Sequence, residues 1–193
     1  MTAARVFDMP EDLVTPQMRS RAKAVNFGIV YGIGAFSLAK DLHISRKMAD
    51  EYIRSYLATY SDVDRFLTES IASARKLGYA VTMFGRRRYI PELSSRNKNL
   101  QAFGERVAMN SPVQGSAADL IKLAMIGVDR ALREANLDAK LILQVHDELI
   151  IDAAEDAAEE AAAILRREME NAAVTTVPMA VDISTGYSWY DAK

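Results

Sequence analysis

The sequence predicts an α+β protein: a mainly helical lobe over residues 1–105, then a smaller lobe over 106–193 with a small antiparallel sheet. Two patterns predict it. Apolar residues recur at helical spacing, with cap and stop signals, through most of the first two-thirds of the chain. Residues 142–152 then read Ile-Leu-Gln-Val-His-Asp-Glu-Leu-Ile-Ile-Asp, two short apolar runs flanking His146, Asp147 and Glu148. That is the pattern of a hairpin.

Each element follows from local chemistry. Thr15 is suited to cap a helix and Pro16 to its first turn, so a helix runs from Gln17 to a stop at Tyr31-Gly32-Ile33-Gly34. Ser45, then Ser61 or Asp62, open helices over roughly 45–59 and 62–77, the second ending at Gly78. Tyr79 to Phe84 is β-like, Gly85 with Arg86, Arg87 and Arg88 makes a turn, and Tyr89-Ile90 resumes before Pro91, giving a basic hairpin. Arg96 to Asn136 is helical again. Asn110-Ser111-Pro112 interrupts it, and proline there predicts two helices joined by a bend. Leu141 to Val145 and Leu149 to Ile151 have the length and β-branched content of buried strands. An acidic helix over 155–171 follows, then a last strand near Met179 to Ile183 and a Gly186-Tyr-Ser-Trp189 tail.

Composition limits the function. The 193 residues are 50% hydrophobic and 26% charged, enough for one ordinary core or two small lobes. No apolar run approaches the roughly 20 residues of a membrane helix, and the first residues lack a signal peptide's order, so a cytoplasmic protein without membrane contact is expected. With no cysteine and two histidines, a metal would be held mainly by oxygen, which favours Mg²⁺, Mn²⁺ or Ca²⁺ over zinc. The net charge of −2 hides a split: residues 1–146 carry +6 and residues 147–170 carry −7. Arg86, Arg87, Arg88, Arg96 and Lys98, and separately Arg19, Arg21 and Lys23, suit a polyanion such as a nucleic-acid backbone, or are solvated faces.

Two constellations carry the chemistry. Arg19, Lys23, Phe27 and Tyr31 recur every four residues and form one spiralling stripe, two cations then two aromatics. Such a stripe either buries its rings in the core with the cations at its rim, or holds phosphates and stacks a base or sugar. Gly28, Gly32 and Gly34 make that helix and its end permissive. At the hairpin tip, flanking buried strands would make adjacent carboxylates costly without a cation or hydrogen bonds; a solvated acidic turn is the other reading.

In the setting Arg-Ala-Lys-Ala-Val-Asn-Phe-Gly-Ile-Val-Tyr-Gly, the Arg19, Lys23, Phe27, Tyr31-Gly32 spacing resembles the nucleotide-binding fingers helix of DNA polymerase I-type, family A, DNA polymerases. Val145-His146-Asp147-Glu148 resembles that family's catalytic palm motif. Phe84-Gly-Arg-Arg-Arg-Tyr-Ile-Pro-Glu and Arg106-Val-Ala-Met-Asn-Ser-Pro-Val-Gln-Gly-Ser-Ala-Ala-Asp119 also resemble bacterial members. Four ordered motifs cover nearly the whole chain. The resemblance implies a fingers subdomain over 1–105 and the C-terminal part of a palm over 106–193.

It also implies roles. Arg19 and Lys23 would contact the triphosphate of an incoming deoxynucleotide, with Lys23 a proton donor to pyrophosphate. Phe27 would pack on the sugar and disfavour dideoxynucleotides, while Tyr31 would stack near the templating base. Arg106, Asn110 and Gln114 would read primer–template DNA from the minor groove, where donors sense pair geometry without reading sequence. Asp147 would be the principal ligand of two Mg²⁺ ions, with Glu148 supporting the metal site and His146 placing the primer end.

One departure matters. The family's second palm aspartate lies in an Asp-Tyr-Ser-x-Ile-Glu-type motif upstream of the fingers helix, and neither Asp8 nor Asp12 matches it. The resemblance is therefore to a C-terminal fragment, and the 193-residue polypeptide alone is expected not to polymerise. A short palm sheet would also expose an edge that invites self-association. Two other classes stand beside a polymerase: a noncatalytic nucleic-acid-binding module, and a metal-dependent phosphohydrolase built round His146-Asp147. The last would need several histidines, and only His43 remains.

Overall fold

The computed structural model describes residue 4 and residues 10–192, apart from the side chains of Ser20, Arg21 and Ala24. Asp8 and the Arg21 side chain therefore lie outside the described residues. The chain divides into two compact units, residues 1–113 and 114–193. It is mostly helical with two small antiparallel sheets, the predicted α+β class.

In the first unit a short 3₁₀ turn, Glu11–Leu13, precedes α1, Pro16–Val30. Thr15 caps α1 by accepting the Met18 N–H at 3.2 Å. The helix stops where Gly32 takes φ 76°, a left-handed conformation with little penalty for glycine. There the Ile33 N–H donates to the Gly28 carbonyl at 2.7 Å and the Gly32 N–H to the Ile29 carbonyl at 2.9 Å, which satisfies two carbonyls the helix leaves open. Next comes α2, Ala35–Leu42, a helix the sequence reading did not foresee. Gly34, with no side chain to cap it, opens α2, and His43 closes it at φ 54°. His43 is thus a helix terminator. Helices α3, Arg46–Thr59, and α4, Ser61–Leu77, match the predicted spans. Val25 and Ile29 of α1, Leu38, Ala39 and Leu42 of α2, and Ala49 of α3 form one buried cluster.

Gly78, at φ 79°, turns α4 into the hairpin β1, Tyr79–Val81, and β2, Arg87–Tyr89. The pairing Ala80↔Arg88 and Val81↔Arg87 puts Arg87 and Arg88 in the strand, not in the turn expected from sequence. The turn is instead closed by Thr82, whose hydroxyl accepts the N–H groups of Phe84 at 3.3 Å and Arg86 at 3.2 Å. A 3₁₀ turn, Pro91–Ser94, leads into α5, Lys98–Glu134. Ala74, Ala80, Ile90, Leu93 and Ala108 make a second buried cluster.

Helix α5 corrects the prediction of two helices with a bend: it runs 37 residues with Pro112 inside. Proline removes the one N–H that would reach the Ala108 carbonyl. Ala108 is fully buried and Ser111 is buried with its hydroxyl donating to the Val107 carbonyl at 2.6 Å, so packing holds the turn on which proline sits. Tertiary contacts here outweigh local propensity.

In the second unit, β3, Ala139–Val145, pairs antiparallel with β4, Glu148–Ala153. Ala139 and Leu149 join Ala124, Val128, Ala131 and Leu132 of α5 and Ala161 and Ile164 of α6, Ala158–Glu170, in a third buried cluster. Of the two strands only Ala139 and Leu149 are buried, and β3 is exposed through residues 142–144. Ile142 is 59% and Leu143 44% exposed, which corrects the expectation of fully buried strands. A 3₁₀ turn, Glu155–Ala157, takes the start of the predicted acidic helix. The predicted strand near Met179 to Ile183 does not form, because α6 captures its backbone: Arg166 donates to the Val181 carbonyl at 2.7 Å and the Val181 N–H donates to Glu170 at 3.3 Å.

Candidate active site

The α1 stripe faces outward. Ala22, Val25 and Ile29 take the buried side of the helix, which leaves Arg19 and Lys23 exposed with Phe27 at 51% and Tyr31 at 45%. The alternative in which both rings enter the core is not what this chain adopts. The Phe27 and Tyr31 rings stack with centroids 6.1 Å apart at 14°, and the Lys23 ammonium lies 5.8 Å from the Phe27 centroid. Cation and rings thus form a continuous surface from Lys23 to Tyr31, a little over two turns of helix. Such a surface can pair with phosphate at one end and present a flat apolar face at the other.

Arg106 and Asn110 sit one turn apart on α5, and Gln114 follows one turn later in the same helix. The Arg106 guanidinium lies 5.9 Å from the Phe103 ring centroid. Its aliphatic stem meets the end of α1: a Cβ added at Gly32 would lie 3.1 Å from Arg106 Cγ and 2.4 Å from Met109 Cε. Close packing at Gly32 therefore ties the end of the stripe to the helix that carries Arg106. Sequence reading found Gly32 as a stop but missed Met109, which carries no chemical signal of its own.

The basic hairpin is an exposed surface. Arg86, Arg87, Arg88, Arg96 and Lys98 are all exposed. The Arg87 guanidinium lies 4.9 Å from the Tyr79 ring centroid, and Tyr79 meets Tyr89 edge-on at 5.5 Å. The register Tyr79↔Tyr89 creates this arrangement, so it was invisible until the pairing was known.

At the tip of the β3–β4 hairpin, Val145↔Glu148 closes a loop of two residues, His146 and Asp147. His146, Asp147 and Glu148 are all exposed, so the carboxylates bear no burial cost, contrary to the expectation from flanking apolar runs. His146 adopts φ 52°, uncommon for a residue with a Cβ. The Gln144 side-chain amide donates to the His146 carbonyl at 2.5 Å, a contact that sequence did not signal. As donors, Asp147 and Glu148 offer the hard oxygens that Mg²⁺ takes. Among the described residues, no three His, Asp or Glu side chains gather as a metal cluster, and these two suit such an ion in donor type. His43, the other histidine, ends α2.

The likeness to known proteins runs along the whole chain. The chain is 51% identical over 192 residues to DNA polymerase I of Caldicellulosiruptor bescii, covering 100% of this chain and 23% of that protein. It is 50% identical over 192 residues to DNA polymerase I of Bacillus subtilis, covering 22% of that protein. The chain thus spans about a fifth of the length of these relatives. Its structure resembles the POL domain of Pol1 from M. smegmatis, solved in complex with DNA primer-template and dNTP, with a TM-score of 0.94 and 43% identity over 99% of this chain and 34% of that one. The family model for DNA polymerase family A matches residues 1–191. From its first motif to its last, the chain belongs to DNA polymerase family A.

Proposed function

We propose that this chain supplies the fingers, residues 1–105, and the C-terminal part of the palm, residues 106–193, of a DNA-directed DNA polymerase that extends a primer 3′ end in replication or repair. The observation that carries the reading is the outward-facing Arg19, Lys23, Phe27, Tyr31 stripe in a chain that matches the family over residues 1–191. Arg19 and Lys23 bind the triphosphate of a deoxynucleotide by charge-assisted hydrogen bonds, and Lys23 hands a proton to the departing pyrophosphate. Phe27 packs on the sugar and Tyr31 beside the templating base. Arg106, Asn110 and Gln114 contact the minor groove of primer–template DNA. Asp147, supported by Glu148, would hold Mg²⁺, and His146 places the primer end. The chemistry such an ion would supply there is activation of the primer hydroxyl and stabilisation of the leaving oxygen.

The test uses a complete family A polymerase carrying these residues. Asp147→Ala should abolish primer extension and leave primer–template affinity within about threefold. Extension at near wild-type rates would remove Asp147 from the chemistry. The 193-residue polypeptide by itself should not extend a primer in Mg²⁺, because its sequence holds no Asp-Tyr-Ser-x-Ile-Glu-type palm motif; template-dependent extension at enzyme-like rates would refute that.

For the isolated polypeptide a second reading has its own support: the exposed Arg86, Arg87, Arg88, Arg96 and Lys98 form a noncatalytic nucleic-acid-binding surface. Binding through these charges should weaken steeply as salt rises. Salt-insensitive binding, or none, would count against it.

A further inference from the structure

The register of the β3–β4 hairpin changes partway along. Ala139↔Ala153, Lys140↔Asp152 and Leu141↔Ile151 share one register, and Leu143↔Ile150, Gln144↔Leu149 and Val145↔Glu148 share another. Ile142 is the extra residue between them, a β-bulge. Continued without the bulge, the first register would set Gln144 opposite Glu148 and leave residues 145–147 in a wider loop. With it, the loop tightens to His146-Asp147.

A two-residue hairpin loop demands a positive φ at its first position, normally met by glycine or asparagine. Here histidine meets it at φ 52°. Such a conformation persists only when its surroundings hold it. The Gln144 amide is placed to do so, donating at 2.5 Å to the His146 carbonyl. That carbonyl belongs to the rigid peptide plane joining His146 to Asp147, so fixing it fixes the direction in which Asp147 leaves the turn. The donor is also neutral. A lysine or arginine would brace the same carbonyl while placing a cation beside the Asp147 and Glu148 carboxylates.

We propose that Gln144 is a positioning residue for Asp147, acting through the peptide that follows His146, whose own backbone is left-handed, in a turn whose register the Ile142 bulge sets. The role Asp147 then serves rests on the polymerase reading above, whereas the brace itself does not.

The experiment compares Gln144→Met, which keeps length and loses the donor, with wild type in a complete polymerase carrying these residues. Hydrogen–deuterium exchange over residues 143–149 reads the brace, and single-turnover extension reads its use. Loss of one hydrogen bond should raise exchange at the turn about threefold to tenfold and slow extension by a similar factor. The KM for the nucleotide should stay within about twofold, since the α1 stripe is untouched. In a His146→Gly background, where positive φ carries little strain, the same Gln144→Met change should alter exchange and rate by less than about twofold. Unchanged exchange in Gln144→Met overturns the proposal, as does faster exchange with an unchanged rate. A rate penalty that persists in full beside glycine also overturns it, assigning Gln144 a direct contact with DNA. Failure of the polymerase reading shows separately, as extension surviving in Asp147→Ala.

Discussion

Replacing Gly32 by alanine tests the join between the α1 stripe and α5 because two costs meet there. The first is conformational: at φ 76° an L side chain loses about 1–2 kcal/mol against glycine. The second is steric, since the new Cβ would lie 2.4 Å from Met109 Cε and 3.1 Å from Arg106 Cγ. Both atoms belong to flexible side chains, so they can move aside more cheaply than backbone. Conformation should therefore dominate, with a total near 2 kcal/mol, equivalent to a fall in Tm of roughly 10 °C for a unit of this size. Thermal unfolding of the 193-residue polypeptide by circular dichroism measures the loss. Gly32→Asn separates the terms, because asparagine tolerates left-handed backbone better than alanine yet is bulkier. If conformation dominates, Asn costs less than Ala. An alanine variant within 0.5 kcal/mol of wild type, or an asparagine variant less stable than alanine, would refute the reasoning about this joint.

Three further perturbations test other parts of the fold. Gly104→Ala improves helix propensity by about 1 kcal/mol, but its Cβ would lie 2.9 Å from the Leu93 backbone nitrogen and 3.2 Å from the Glu92 carbonyl carbon. Backbone cannot yield as side chains do, so a net loss of about 1–3 kcal/mol is expected in urea titration. Thr15→Ala removes the acceptor for the Met18 N–H and should lower stability by about 1 kcal/mol, whereas Thr15→Ser should restore most of it. Burial, and secondarily the neighbouring Tyr60, pushes the Tyr56 hydroxyl above its ordinary value of 10.0. The folded state then holds its proton more tightly than the unfolded chain, so this contribution is fully present below pH 10 and is lost as pH rises through the folded value. Denaturant midpoints at pH 9 and pH 11 should fall further in wild type than in Tyr56→Phe.

Much of the fold was legible because its signals are local. Thr15-Pro16, Ser45 and Gly78 mark helix ends by their own chemistry, and those ends lie within a residue or two of the predicted ones. What escaped was decided elsewhere. Helix α2 starts at Gly34, which offers no capping side chain, and ends at a histidine in a conformation usually left to glycine. Pro112 marks a break by local rules, yet burial around Ala108 and Ser111 keeps the helix whole. Met179 to Ile183 has strand composition, but Arg166 and Glu170 take the backbone groups of Val181 that a ladder would need. The candidate site divides in the same way. The stripe and the His146-Asp147-Glu148 tip are patterns of adjacent or evenly spaced residues. The Gln144 brace, the Ile142 bulge and the Gly32–Met109 contact arise from pairing and packing, which spacing does not encode.

The three buried clusters among the described residues share a property with a consequence for how the chain acquires its structure. One draws on residues 25–57, another on 71–108 and the third on 121–172, each a continuous stretch that does not overlap the others. Closing such short loops costs little chain entropy, which favours rapid and separable folding of each stretch. During synthesis the α1–α3 cluster would emerge complete before the residues of the β3–β4 hairpin had been made. Native-state hydrogen exchange should accordingly resolve three cooperative openings with distinct free energies.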